Sequence, residues 1–352
     1  MKLIAFYLPQ FHEIPENNLW WGNGFTEWIN TRKAQKLFPE HYQPREPLQD
    51  YYYDLTDGNA RKWQAEIAKK YGIYGFCYYH YWFKGKRLLE KPFNEVLRTG
   101  EPDFPFCLSW ANEPWSKKWD GMNDNVLMPQ DYGDEEEWKE HFDFLLTAFK
   151  DGRYIRVDNK PLFIIYRSAS IPRCEEMVLY WQNLAKQNGL EGIYFVHTLN
   201  FEPLVNGFDA CVEFEPSYTL TLNLTHYGFN LEKAVDGYHQ KFNVMDYDKV
   251  WAIILERAET KKHIKTFLGA FVDWDNSART GNRALIFKGS TPEKFSHYLT
   301  QHIKQAVNSN CEFLFINAWN EWAEGAYLEP DKKYGYKYLE AVKKSMENNG
   351  LL

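Results

Sequence analysis

The chain has no C-x-x-C pair, and its five cysteines, Cys77, Cys107, Cys174, Cys211 and Cys311, lie far apart. That leaves no basis for a zinc ribbon or a redox motif. Scattered cysteines, mostly inside apolar runs, fit buried free thiols in a reducing compartment. Lysines form no long basic block and the net charge is −7, which argues against nucleic acid as a partner. No apolar run approaches membrane-spanning length, so no membrane span is expected. No signal peptide of the usual length precedes the strand-like opening "MKLIAFYLPQ". Taken as complete, the sequence therefore predicts a cytoplasmic protein. No internal repeat and no Ser/Gly linker divides it, so one domain over residues 1–352 is expected.

Aromatic residues are what the chain has in excess. They make up 18% of it, with 14 Trp, 24 Tyr and 25 Phe. A large core accounts for part of that surplus, because each ring buries much area. The other use is a cleft lined with flat faces. Sugars present a C–H face that packs on such rings, so carbohydrate is the ligand class to consider first.

Short apolar runs alternate with amphipathic ones along the chain. The candidate strands are Leu3–Leu8, Tyr74–Tyr79, Phe104–Trp110, Pro161–Tyr166, Gly192–His197, Ala210–Phe214, Thr266–Val272 and Glu312–Asn317. Each is short and rich in branched or aromatic residues, as buried parallel strands are. Helical patterns stand between them at Asp57–Tyr71, Asp134–Phe149, Pro172–Gln187 and Asp246–Arg257, then from Thr291-Pro292 and over Tyr334–Met346. The second of these opens on four acids, which the helix dipole favours at that end. Eight strands, each followed by at least one helix, predict an α/β fold, a single (β/α)8 TIM barrel with long loops after strands 1, 3 and 6. A doubly wound open sheet is the alternative, but no Gly-rich phosphate loop follows the first strand.

Barrel enzymes build their sites at the C-terminal ends of the strands. There the sequence offers Gln10 and His12, then "YHYWF" with His80, Tyr81 and Trp82, then "SWANEPW" with Trp110, Asn112, Glu113 and Trp115. Tyr166 and Arg167, His197, and Glu213 in "EFEPSY" follow. "DWDNSAR" supplies Trp274 and Asp275. "NAWNEWAEGAYLEP" supplies Asn320, Glu321, Trp322, Glu324 and Glu329. Any one of these has a structural explanation: a histidine can be a satisfied core residue, and an acid can cap the next helix. That all eight ends are polar and aromatic is harder to explain by structure alone.

Acids, amides and aromatics without a nucleophilic Ser or Cys constellation point to glycosyl chemistry. Breaking an acetal needs a proton for the leaving oxygen and a second carboxylate beside the oxocarbenium-like transition state. Glu321 and Glu324, three residues apart, can supply that pair from one loop. Neighbouring carboxyls raise one pKa, so one of them can hold a proton near neutral pH. Equally, one of them could cap the final helix or pair with an arginine. A metal site from Asp273, Asp275, His80 and His197 is conceivable, but no HExxH or HxH run occurs and "DWD" is only a loose DxD match.

Together "IAFYLPQFHEIPENNLWWGNGFTEW", "GFCYYHYWF", "LSWANEPW", "DWDNSAR" and "NAWNEWAEGAYLEP" resemble the WbsX-like family, which is glycoside hydrolase family 99-like. The match is ordered along nearly the whole chain, and its motifs are long and Trp-rich. The resemblance implies a (β/α)8 barrel related to endo-acting α-mannosidases, with no cofactor and no metal. It also implies distinct jobs for the two glutamates in a retaining, 1,2-anhydro-sugar mechanism. Glu321 would take the proton of the sugar 2-hydroxyl, and Glu324 would protonate the leaving oxygen and then activate water. His80, Tyr81, Trp110, Asn112, Glu113 and Trp274 would hold sugar. His12, Trp82, Trp115, Tyr166, His197, Glu213, Asp275, Asn320 and Trp322 complete the expected sugar-contacting rim. Ala323 stands where family 99 usually shows His, so subsite contacts are expected to differ.

The expected activity is thus a retaining glycoside hydrolase on an α-linked, mannose-like glycan. Members of the family are also labelled glycosyltransferases of bacterial polysaccharide assembly, which is the competing function. A non-catalytic glycan-binding barrel is the third.

Overall fold

The computed structural model describes residues 1–116, 126–199, 203–226, 232–233, 243–260 and 263–352. Eight parallel strands close on themselves: β1 (Lys2–Tyr7), β2 (Ile73–Phe83), β3 (Phe106–Trp110), β4 (Lys160–Ile165), β5 (Tyr194–Leu199), β6 (Ala210–Glu213), β7 (Thr266–Phe271) and β8 (Phe313–Asn317). Closure is visible at β1. Ile4 lies beside Phe315 of β8 on one side and Gly75 of β2 on the other. The sheet has no free edge, so every strand is flanked on both sides, and runs such as FLFIN are buried throughout.

The helices are α1 (Pro15–Trp21), α2 (Glu27–Lys33), α3 (Gly58–Lys70), α4 (Lys91–Thr99), α5 (Glu135–Phe149), α6 (Cys174–Gln187), α7 (Ser217–His226), α8 (Tyr247–Ala258), α9 (Ser277–Thr280), α10 (Pro292–Asn308) and α11 (Lys337–Glu347). Four of them start at side-chain caps: Asp57, Asp134, Asp246 and Thr291 each accept a backbone N–H of the first turn. Two sequence expectations need correction. Among the described residues no helix stands between β5 and β6, where a short loop suffices. Strand β2 runs past Tyr79 to Phe83 and turns into a hairpin with Lys86–Leu88, so "YHYWF" is strand rather than loop.

The barrel interior ends in a layer of rings. Phe6 packs against Tyr79, Phe214 and Phe315, with centroids 5.8, 5.0 and 5.5 Å away. Burying each such ring stabilises the fold by roughly 1.5–3 kcal/mol. This layer is also the floor of what lies above it.

The three expected excursions are present. Residues 8–57 after β1 carry α1 and α2. Those after β3 and β6 lie partly outside the described residues. A further excursion after β7 carries α9 and a strand, Leu285–Lys288, that pairs with Asn243–Asp246. All five cysteines are buried and unpaired. No helix among the described residues is long and apolar enough to cross a membrane.

Candidate active site at the barrel mouth

The loop after β8 is pinned at several points. Asn320 clamps the end of β1, accepting the Leu8 N–H at 2.8 Å and donating to the Leu8 carbonyl at 3.0 Å. The Trp322 indole N–H donates to Glu329 at 2.6 Å, and Tyr53 and Gln64 each donate to the same carboxylate at 2.7 Å. Burial still raises the Glu329 carboxyl to about 7, against the pull of those three donors. Gly325 closes the turn with φ 66°, and a Cβ there would sit 3.0 Å from Arg45 Nη2 and 3.1 Å from Asp275 Cβ. Any other side chain there would be strained by the backbone angle and crowded by those neighbours. The result is a rigid platform for Glu321 and Glu324.

Both glutamates turn toward Arg279 of α9. Its Nη1 reaches Glu324 at 2.5 Å and its Nη2 reaches Glu321 at 3.1 Å. A third carboxylate, Glu27 of α2, takes the Nε at 2.8 Å and shares Nη2 at 2.7 Å. One cation thus serves three acids, and Glu27 and Glu321 are about 95% or more buried. Burial pushes the Glu321 carboxyl well up, and Glu324's charge adds to the shift while Arg279 opposes it. Glu324 is raised as well, burial outweighing Arg279. At neutral pH the pair is therefore set to keep a proton.

These groups face a cleft of about 1100 Å³, counting its open mouth. Tyr79, Tyr81, Trp115, Tyr166, Phe214 and Trp274 give it flat walls, and Trp21 and Phe25 of the excursion after β1 add to them. Among the described residues its lining holds four carboxylates, Glu27, Glu113, Glu321 and Glu324, and a single cation, Arg279. Such a balance favours positive charge developing inside and disfavours phosphates. Asn17, Asn30 and Trp274 also line the cleft. Both amide atoms of Asn17, the Asn30 amide oxygen and the Trp274 indole N–H are buried without a hydrogen-bond partner among the described residues. Unmet polar groups of this kind favour a hydroxyl-rich ligand.

The expected site residues divide. Tyr81, Glu113, Trp115, Tyr166, Trp274, Glu321 and Glu324 line the cleft. The others do not, and each has a visible structural partner. His80 and Trp82 alternate with Tyr81 and so face α5, where His80 meets His141 at 2.9 Å and Trp82 stacks on it at 4.4 Å. Burial holds the His80 imidazole down at about 3. Trp110 packs against His141 and Trp181. Asn112 ties β3 to β4 through the backbone N–H and carbonyl of Arg167, at 2.8 and 2.9 Å. His12 bonds the Pro9 carbonyl, His197 bonds Ser168, and burial lowers each to about 4. Glu213 pairs with Arg257 of α8. Asp275 accepts from His41 and Gln43, both at 2.8 Å. Burial works to raise Asp275, but His41 and Arg45 bring it down to about 2. Asn320 and Trp322 brace the loop described above.

Asp273 and Asp275 belong to Arg45 and His41, while His80 is bonded to His141 and His197 to Ser168, so the conceivable metal cluster is not assembled. Among the described residues no group of three or more His, Cys, Asp or Glu is placed to hold a metal ion. The sequence reading missed Glu27, Asn17, Asn30, Trp21, Phe25 and Tyr79. For all but Tyr79, which ends the expected second strand, the signal lies in "NNLWWGNGFTEWIN", an amide- and Trp-rich stretch with no strand or clear helical period to place it.

The family model described as Glycosyltransferase WbsX matches residues 3–342. The chain belongs to the WbsX family. Two uncharacterized WxcX proteins, from two strains of Xanthomonas campestris pv. campestris, are each 35% identical over 350 residues. Those residues cover 98% of this chain but 49% of each relative, so the chain spans about half the length of the curated relatives it matches. Among solved structures, a glycoside hydrolase-like protein superposes with a TM-score of 0.60 at 14% identity, covering 98% of this chain and 93% of that one. The GH99 endo-alpha-mannosidase from Bacteroides thetaiotaomicron gives a TM-score of 0.57 at 14% identity, covering 99% and 98%. At that identity the likeness establishes the fold alone, a (β/α)8 barrel shared by this WbsX-family chain.

Proposed function

We propose that this barrel is a retaining glycosidase acting on an α-linked, mannose-like glycan, with Glu321 and Glu324 as its working carboxylates. The observation that carries the reading is the buried glutamate pair at the end of β8, sharing one arginine in an acidic, ring-lined cleft. Glu321 takes the proton of the sugar 2-hydroxyl, and that oxygen closes onto the anomeric carbon. Glu324 gives its proton to the leaving oxygen. In the second half Glu324 takes a proton from water, water opens the three-membered ring, and Glu321 returns its proton to the 2-oxygen. Each glutamate ends as it began. Burial raises both carboxyls of the pair, which favours the proton that Glu324 must carry for the first step. The unpartnered groups of Asn17, Asn30 and Trp274 supply donors and acceptors for sugar hydroxyls.

The family's description favours a second reading, transfer of a sugar to another sugar's hydroxyl in polysaccharide assembly. A nucleotide-sugar donor brings two phosphates, and the only cation lining the cleft among the described residues is already shared by three carboxylates. Incubation with a panel of α-mannans and aryl α-mannosides, followed by NMR of the first-formed anomer, tests the proposal. Release of the α-anomer, lost in Glu324→Gln, is expected. Turnover of a nucleotide sugar with no hydrolysis of any glycan would reverse the choice.

A further inference from the structure

Glu27 is far from the pair in sequence and sits on a short helix of the excursion after β1, yet it holds Arg279 more fully than either member of the pair. Its Oε1 accepts from both Nε and Nη2. A guanidinium offers five N–H donors in a fixed fork and prefers a two-bonded grip on one carboxylate. Were Glu27 absent, Arg279 could turn that grip on Glu321 or Glu324 and neutralise it. With Glu27 in place, Nη1 goes to Glu324 alone and Nη2 is shared with Glu321.

We propose that Glu27 is a positioning residue: by occupying the Nε edge of Arg279 it limits that cation to one contact with each glutamate of the pair, leaving their remaining oxygens for the sugar. This rests on the reading of Glu321 and Glu324 as the working pair. The charge count points the same way. Three carboxylates against one guanidinium leave surplus negative charge, which favours a proton on the pair and a cation-like transition state beside it. Other groups facing the pair are the phenols of Tyr79 and Tyr81, both of which are neutral because burial and the nearby glutamates raise them. Glu27 is thus the nearest charge whose removal frees the arginine. Its helix packs on the turn that carries Glu324, and Trp28 beside it meets Trp322 with ring centroids 5.4 Å apart.

The test is read on the free protein, with no substrate. Glutamate carboxyls labelled with carbon-13 are followed by NMR through a pH titration in wild type, Glu27→Gln and Glu27→Asp. In Glu27→Gln the raised titration of the pair is expected to fall by about one pH unit or more, a tenfold change in proton affinity. Glu27→Asp, which keeps the charge, is expected to restore most of it. If Glu27→Gln does not fold, Glu27→Ala serves in its place. A folded variant whose pair titrates as in wild type overturns the proposal and leaves Glu27 a packing residue. Because the readout needs no turnover, failure of the glycosidase reading and failure of this one are separate results. Where a glycoside is hydrolysed, the acid limb of the kcat/KM profile is expected to move with the titration.

Discussion

The extension of β2 and the loop after β8 both carry polar and aromatic side chains at a strand end, yet they deliver them differently. The extension, His80–Phe83, is strand, so its side chains alternate. Tyr81 goes to the cleft, while His80 and Trp82 go to α5 and become core. The β8 loop is a turn pinned by Asn320, Trp322 and Gly325, and it sends both glutamates to one side. A chemistry-rich motif on a strand thus yields half its side chains to the site, whereas one on a braced turn can yield the reactive pair intact.

The largest way to break that contrast is Glu324→Gln on the loop. It is expected to cut kcat by about 10²- to 10⁴-fold with the fold unchanged, measured on the glycoside that proves active. The extension should split by face. His80→Ala is expected to destabilise the protein by about 2–5 kcal/mol in a denaturant melt, while the folded fraction keeps its kcat/KM. Tyr81→Ala should do the reverse, lowering kcat/KM by about tenfold with a smaller change in stability. Equal activity losses in both variants would erase the distinction between the two faces. Gly325→Ala comes next. A side chain at that left-handed angle costs about 1–2 kcal/mol, before its contact with Arg45 is counted, and should lower stability and activity together.

The smallest effect is on pH dependence. Glu321 and Glu329 have folded pKa values above the ordinary 4.5, so they bind more protons folded than unfolded. Their contribution is present in full below 4.5 and is lost as pH rises, through about 7 for Glu329. The buried His12, His80 and His197 act oppositely, losing stability as pH falls from 6.5 toward 3–4. Above pH 6.5 the carboxyls act alone, so stability should decline toward pH 8 by at most about 1.4 kcal/mol per pH unit per group. Glu321→Gln should flatten that slope, and thermal melts across the range would detect it.

The barrel itself was legible because fully buried parallel strands leave a continuous apolar signature at regular spacing. The β8 loop was legible because its acids and tryptophans follow the last such run directly. What the sequence left hidden is three-dimensional. Glu27 reaches Arg279 only because the excursion after β1 folds across the mouth. Asn17 and Asn30 come to the cleft the same way. His80, Trp82, Trp110 and His197 looked like rim residues because proximity to a strand end is visible in the sequence, whereas the face a side chain takes depends on the pleat. The helix expected between β5 and β6 fell to the brevity of that connection.

The central claim is that Glu321 and Glu324 flank one anomeric carbon in this cleft. A crystal structure soaked with a mannose-configured iminosugar tests it most directly. The account predicts a sugar ring against Tyr81 and Trp274, with its anomeric position between the two carboxylates. The same compound ordered elsewhere on the barrel, with the Arg279 cluster untouched, would contradict it.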